Sequence, residues 1–242
     1  MKKKTKIILI IIAAALFVIG VALFLLYFNG LLGVHHHTEP SEGQIKVACV
    51  GDSITYGHGV SNWPKNNYPA QLSDILGDSY HVENFGHSGR TLSDSGDQPY
   101  SKSEQYRLSL EYEADIIVFM LGTNDSKPEN WTDPDTFMAE YEKMVDSYKE
   151  NNPDVRIILC TPARAFYPDG KSEGKTSFDI QPGIVEQIRT RILTFAVLKG
   201  YECIDIYDIT HGHREWFAGD CVHANADGAR AIAEAVAKKI TK

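Results

Sequence analysis

Residues 45–57 read IKVACVGDSITYG, and this stretch decides the fold class. Five of its first six residues are apolar, and the run stops at Gly51, a pattern typical of a buried strand that ends in a tight turn. A strand that is apolar on both faces is typical of a parallel sheet covered by helices on each side. The stretch therefore predicts the first strand of an α/β domain.

Strand-like and helix-like segments alternate along the rest of the chain. The further predicted strands are residues 81–85, 116–121, 156–160 and 201–206, and the predicted helices are residues 68–76, 136–149, 184–198 and 224–240. This alternation predicts a three-layer α/β/α domain with a parallel five-stranded sheet. The active site of such a domain lies at the carboxyl ends of the strands.

The N-terminus carries an apolar segment of a different kind. Residues 7–28 contain no charged side chain, and a helix of that length crosses a hydrocarbon core of about 30 Å. A cleavable signal peptide has a shorter core, about 7–15 residues, and a small-x-small cleavage site, which the following residues do not offer. We therefore expect an uncleaved signal-anchor, a transmembrane helix that the protein keeps.

Four lysines precede this segment, and the positive-inside rule places them in the cytoplasm. The predicted organisation is a basic stub with a single-pass anchor (1–28), a linker (29–44) and a globular domain on the extracytoplasmic side of the cell membrane (45–242). The linker contains His35, His36 and His37, which are able to hold a metal loosely, but a solvated linker is the favoured interpretation.

Charge and cysteine content exclude several classes of function. The net charge is −8, and the four lysines before the anchor leave −12 on the remainder, which argues against a nucleic-acid partner. The cysteines form no C-x-x-C pair, so no zinc or redox motif is predicted; they are Cys49, Cys160, Cys203 and Cys221. We expect a monomer without metal, cofactor or disulfide.

Four short motifs fall at strand ends or just before the last helix. They are residues 51–57 (GDSITYG), 84–89 (NFGHSG), 122–125 (GTND) and 220–223 (DCVH). In this order and spacing they resemble the four consensus blocks of the SGNH hydrolases, also called GDSL esterases/lipases. The resemblance covers residues 45–242, and it implies a flavodoxin-like SGNH hydrolase fold and ester hydrolysis.

The resemblance also implies a role for single residues. Ser53 corresponds to the nucleophile, His223 to the general base and Asp220 to the carboxylate that orients the histidine. The oxyanion hole corresponds to the backbone N–H groups of Ser53 and Gly86 and the side-chain amide of Asn124.

Elementary chemistry agrees with those roles. A serine hydroxyl is a weak nucleophile until a base within hydrogen-bond reach takes its proton, and a histidine titrates near neutrality. An aspartate three residues before the histidine can accept its Nδ1–H and stabilise the imidazolium. The oxyanion formed at an ester carbonyl needs preorganised donors, which a glycine N–H and an asparagine amide supply.

Aromatic and amide side chains in the loops suggest a sugar as the alcohol part of the ester. The predicted substrate contacts are Trp63, Asn67, Trp131 and Tyr167. We therefore favour the removal of O-acetyl groups from carbohydrates. The alternatives are a lipid esterase or lysophospholipase or a thioesterase on the same triad, a metallophosphoesterase that enlists His211 and His213, and a carbohydrate-binding protein without catalysis.

Overall fold

The structure is a computed structural model that describes residues 3–28, 37–168, 173 and 176–242. Five strands form one sheet in the order β2-β1-β3-β4-β5, and every neighbouring pair is parallel. The strands are β1 (Ile45–Gly51), β2 (Tyr80–Gly86), β3 (Ile116–Met120), β4 (Arg156–Cys160) and β5 (Glu202–Ile204). The predicted parallel five-stranded sheet is confirmed.

Helices cover both faces of this sheet. The described part of the chain contains the N-terminal helix α1 (Lys3–Phe28), which is exposed, and the helices α2 (Ser53–Tyr56), α3 (Trp63–Asn66), α4 (Tyr68–Leu76), α5 (Glu104–Glu111), α6 (Pro134–Asn151), α7 (Pro182–Lys199), α8 (Ile206–Ile209) and α9 (Ala226–Ile240). Alternate residues of β1 point to opposite sides. Ala48 and Val50 pack with α5, α6 and α7, whereas Val47 and Cys49 pack with α4 and α9. The result is the predicted three-layer domain with two buried apolar layers.

The sequence did not predict the helices α3, α5 and α8, and it predicted a longer fifth strand. Helix α5 was not predicted, because its surface is dominated by charged and polar residues and few apolar positions mark a buried face. The fifth strand ends at Ile204 rather than residue 206, because the Asp205 side chain accepts a hydrogen bond from Asp208 N and caps α8. All four cysteines are unpaired in the structure.

The N-terminal apolar segment is helical. Residues 7–27 of α1 are long and apolar enough to cross a membrane, a property that signal sequences share. At the end of α1 the Tyr27 ring lies edge-on to Trp63 of α3, with 6.0 Å between the ring centroids.

The described end of the predicted linker is bound to the edge strand β2. The backbone N–H and hydroxyl of Thr38 donate to Glu83 Oε1 at 2.9 and 2.8 Å, and His37 Nδ1 lies 2.9 Å from Glu83 Oε2. The His37 ring also stacks on Phe85 at 4.7 Å between centroids. We call His37, Thr38 and Glu83 the tether contact. His35 and His36 lie outside the described residues.

Candidate active site

The turn after β1 presents Ser53 at the carboxyl end of the sheet. Ser53 is the first residue of α2, and the Asp52 side chain caps that helix by accepting from Ile54 N at 2.9 Å. A Cβ on Gly51 would lie 2.6 Å from Met120 O, so only glycine lets the strand end pack this closely. Because Asp52 provides the cap, the Ser53 hydroxyl is left for another partner.

That partner is His223, which lies 170 residues further along the chain. Ser53 Oγ lies 2.9 Å from His223 Nε2, and His223 Nδ1 lies 2.9 Å from Asp220 Oδ2. Ser53 and His223 are both buried. The three side chains thus form a continuous line of hydrogen bonds in which the hydroxyl donates to the imidazole and the imidazole donates to the carboxylate.

Asp220 is held as a carboxylate. Burial on its own would raise its pKa, but hydrogen bonds from the His223 side chain and from the backbone N–H groups of His223 and Val222 lower the pKa to about 2. Cys221, inside this turn, has φ +71°, a left-handed conformation that few non-glycine residues adopt. Asp220 therefore stays ionised through the neutral range, facing the imidazole.

A cavity of about 200 Å³ opens beside Ser53 and His223. Its lining includes Ser88, Gly89, Asn124 and Lys127, together with His58 and Phe178. Among these lining residues, only Asn124 has a role predicted from the sequence. His58, Lys127 and Phe178 lie between or beyond the motifs, and no spacing in the sequence links them to Ser53.

His58 and Phe178 pack around the histidine. The His58 ring centroid is 4.6 Å from that of His223, and the Phe178 ring meets His223 edge-on at 4.9 Å. Burial, and then the proximity of His223, lowers the pKa of His58, so this ring is neutral at neutral pH. The His223 imidazole therefore lies against the aromatic ring of Phe178 and the uncharged ring of His58.

The donors beside Ser53 differ in part from the prediction. The Gly86 N–H is already bonded to Asn84 Oδ1 at 2.9 Å, and a Cβ on Gly86 would lie 2.2 Å from Tyr56 N. Gly86 therefore serves close packing, and its predicted oxyanion role does not fit this geometry. Gly89 lines the cavity at φ +80°, and its N–H bonds to no residue that the structure describes.

Asn124 and Asp125 face different parts of the molecule. One N–H of the buried Asn124 amide donates to Arg90 O at 3.1 Å, which leaves the second N–H for the cavity. Asp125 accepts hydrogen bonds from Leu92 N and Ser93 N, both at 2.8 Å, and burial raises its pKa to about 6. Asp125 thus fixes the loop after β2 against the loop after β3.

The four residues predicted to contact sugar do not line this cavity within the described chain. Trp63 is buried and donates its indole N–H to Tyr56 O, and Asn67 caps α4 by accepting from Ala70 N. Trp131 packs near Phe137, and the Tyr167 hydroxyl lies near α7. Trp63 and Asn67 are fully engaged inside the protein, so their placement supports packing roles instead of sugar contact.

A sequence model of the GDSL-like Lipase/Acylhydrolase family matches residues 49–231, which span the line from Ser53 to His223. The chain belongs to this family. The resemblance seen in the four motifs is thereby confirmed.

This GDSL-family chain is also similar to individual proteins of known class. It is 35% identical over 221 residues to an acetylxylan esterase of Xylanibacter ruminicola, an alignment that covers 83% of this chain and 44% of that protein. Its fold is similar to a carbohydrate acetylesterase from Sinorhizobium meliloti (20% identity, TM-score 0.65, 82% of this chain and 99% of that one). The lipase/acylhydrolase from Enterococcus faecalis is also similar (21% identity, TM-score 0.62, 81% and 95%).

Proposed function

We propose that this domain removes O-acetyl groups from carbohydrates, with Ser53 as the nucleophile, His223 as the general base and Asp220 as the residue that orients it. The observation that carries the proposal is the continuous line of hydrogen bonds from Asp220 to Ser53, which ends at a small cavity. The relative named acetylxylan esterase supports an acetylated sugar as the substrate.

The proposed reaction uses these three side chains in two half-reactions. His223 takes the Ser53 proton as Oγ attacks the ester carbonyl, and the resulting imidazolium then protonates the departing sugar oxygen. The acyl group is left on Ser53. A water molecule, deprotonated by His223, releases acetate and restores the serine. Asp220, ionised because its pKa is about 2, stabilises the imidazolium in both halves.

For the oxyanion we propose the backbone N–H groups of Ser53 and Gly89 together with the Asn124 side chain. All three residues line the cavity. Gly89 takes the place predicted for Gly86, because its N–H is not used by any described residue whereas the Gly86 N–H is bonded to Asn84. Each such donor contributes about 10²–10³ in kcat in comparable hydrolases.

The shape of the cavity favours a short acyl group and a sugar outside it. A volume of about 200 Å³ leaves room for an acetyl group near Ser53, and Ile180 and Val222 provide apolar wall. Phe178 is 43% exposed at this cavity, so part of its ring is open to solvent. An exposed aromatic ring beside the reacting ester suits stacking on a sugar, and Phe178 replaces the four loop residues as the proposed platform.

Acyl-chain length tests the acetyl proposal. Each added methylene gains about 0.8 kcal/mol only where a pocket buries it. We therefore expect kcat/KM for p-nitrophenyl esters to be highest at two carbons and to fall through four and eight. Acetylated xylo-oligosaccharides should release acetate. A kcat/KM that climbs through eight carbons would leave a lipid esterase on the same residues.

Ser53→Ala tests the nucleophile. We expect the loss of about 10⁴–10⁶ in kcat on every ester, with the melting temperature retained. Ser61→Ala, which alters an exposed serine eight residues away, is the matched control and should keep full activity. A fluorophosphonate probe should modify Ser53 in the unaltered protein; modification of Ser88 instead would contradict the assignment.

We also propose that α1 anchors the protein in the cell membrane, with the esterase domain on the extracytoplasmic side. The support is the uncharged run Ile7–Tyr27 and the lysines that precede it. A glycan esterase in this position meets cell-surface or environmental polysaccharides.

A further inference from the structure

Lys127 is an unusual cation in this acidic domain. It lines the cavity beside Ser53, and only 15% of its side chain is exposed. Its ammonium makes no hydrogen bond with any described residue, and the carboxylate paired with it, Asp97, is 3.9 Å away. By contrast, the exposed Lys143 bonds Asp94 at 2.8 Å. Lys127 therefore keeps its hydrogen-bonding capacity in a position with little access to water.

Residues 87–90 contain further hydrogen-bond donors that have no acceptor in the described part of the chain. Two of these residues, Ser88 and Gly89, line the same cavity as Lys127. Arg90 donates to His87 Nε2 at 3.1 Å, so the proton of the neutral His87 ring is on Nδ1. His87 Nδ1, Ser88 Oγ and Arg90 Nε are all buried, and none bonds to any residue in the described ranges. Buried donors without acceptors are costly, so this segment favours an acceptor nearby, and Ser88 is the one of the three residues that lines the cavity.

Positively charged side chains lie close to these hydrogen-bond donors. Lys127 and Arg90 are both cationic, and the carboxylate that acts on both of them is Asp97. One Asp97 oxygen already accepts from the Asn130 amide at 3.0 Å. Lys127 and Arg90 thus share the Asp97 carboxylate, within a chain whose net charge is −8.

We propose that the wall formed by Ser88 and Lys127, with Arg90 behind it, binds a negatively charged group on the sugar. The preferred substrate is then an acetylated acidic sugar, one that carries a carboxylate or phosphate close to the acetyl ester. This inference rests on the proposed carbohydrate deacetylation. The anionic group accepts hydrogen bonds from the Lys127 ammonium and the Ser88 hydroxyl, which orients the acetyl ester toward Ser53.

A matched pair of substrates tests this. A mono-O-acetylated methyl glucuronoside and the methyl glucoside acetylated at the same hydroxyl differ only in the carboxylate at C6. We expect kcat/KM to favour the glucuronoside by about tenfold, the usual scale of one charge-assisted contact. The acetylated glucoside 6-phosphate, as a third substrate, distinguishes recognition of phosphate from recognition of carboxylate.

Variants locate the preference. Lys127→Met should bring the ratio of the two kcat/KM values close to one, and Lys127→Arg should retain a preference for the charged sugar. Lys143→Met, which removes a lysine on α6 outside the cavity, should leave the ratio and the activity unchanged. Equal kcat/KM values for the charged and the neutral sugar in the unaltered protein would overturn this inference alone. Hydrolysis of p-nitrophenyl acetate but of neither sugar ester would overturn the carbohydrate proposal as well.

Discussion

Among the histidine–carboxylate pairs of the described chain, two with the same Nδ1–oxygen distance lie in different regions of the molecule. His223 Nδ1 is 2.9 Å from Asp220 Oδ2, and His37 Nδ1 is 2.9 Å from Glu83 Oε2. The pairs differ in what the second ring nitrogen meets. In His223 it meets the Ser53 hydroxyl at the cavity, and in His37 it lies 3.1 Å from the Gln105 side-chain oxygen. A histidine–carboxylate pair therefore indicates catalysis only where the histidine also contacts a hydroxyl group at a cavity.

Location in the sheet explains the difference. Asp220 and His223 lie in the loop before α9, at the carboxyl end of the strands where loops converge. Glu83 lies within the edge strand β2, where its carboxylate accepts from Thr38 as well as from His37. The first pair lies beside a cavity, and the second joins a chain segment to a strand edge.

Asp220→Asn is the change with the largest expected effect on this comparison. The amide can still accept from Val222 N and His223 N, so the turn should keep its shape, but it no longer favours the proton on Nδ1. We expect kcat for p-nitrophenyl acetate to fall by about 10³–10⁴, with an unchanged melting temperature near neutral pH. A loss below tenfold would show that Asp220 does not orient the base.

Glu83→Gln makes the same chemical change in the other pair, and here we expect an effect on stability instead of activity. The hydrogen bond to Glu83 raises the pKa of His37. The stability that protonated His37 gives to the folded protein is therefore present below the ordinary pKa of 6.5 and is lost as pH rises through the raised pKa. Burial would raise the pKa of Glu83, but the hydrogen bonds from His37 and Thr38 lower it. The stability that ionised Glu83 gives to the folded protein is therefore lost as pH falls below about 4.5.

The melting temperature of Glu83→Gln should therefore be lower than that of the unaltered protein by about 2–4 °C between about pH 5 and 6.5. The difference should shrink above pH 8, and kcat/KM should stay the same. Glu42→Gln, an exposed change in the same part of the chain, serves as the control. A difference that grows with pH would contradict the proposed His37–Glu83 pairing.

Deletion of residues 1–29 should have the smallest effect on either pair. The globular domain retains both pairs and its sheet, so we expect unchanged kcat/KM and recovery in the soluble fraction, whereas the full chain should sediment with membranes. Recovery of the full-length product from the medium, cut near residue 30, would mean that α1 is a cleaved signal peptide.

The layers of the fold could be predicted because they depend on local pattern. The pairing of Ser53 with His223 and Asp220 was expected from the resemblance of the four motifs to the SGNH hydrolase blocks. Apolar runs mark the strands, and polar motifs follow where the strands end. The glycine proposed to donate to the oxyanion could not be identified from the sequence, because residues 84–89 contain two glycines. The structure shows that the Gly86 N–H already donates to the Asn84 side chain.

The residues that line the cavity could not be predicted from the sequence for a related reason. Lys127 and Phe178 reach Ser53 only through the packing of loops far apart in the chain. Trp63 looked suited to a sugar, but composition does not tell a buried aromatic ring from an exposed one, and its side chain is buried against Tyr56.

If α1 anchors the protein in a membrane as proposed, the tether contact sets how far from that membrane the proposed esterase can act. Between Phe28, where α1 ends, and His37 there are nine peptide units, which span at most about 30 Å when fully extended. If the contact opens, the chain up to Ile45 joins the tether, and the maximum reach becomes about 60 Å. The volume of glycan within range grows with the cube of that radius. Conditions that weaken His37–Glu83 pairing would therefore widen the layer of polysaccharide that one molecule can deacetylate, without any change at Ser53.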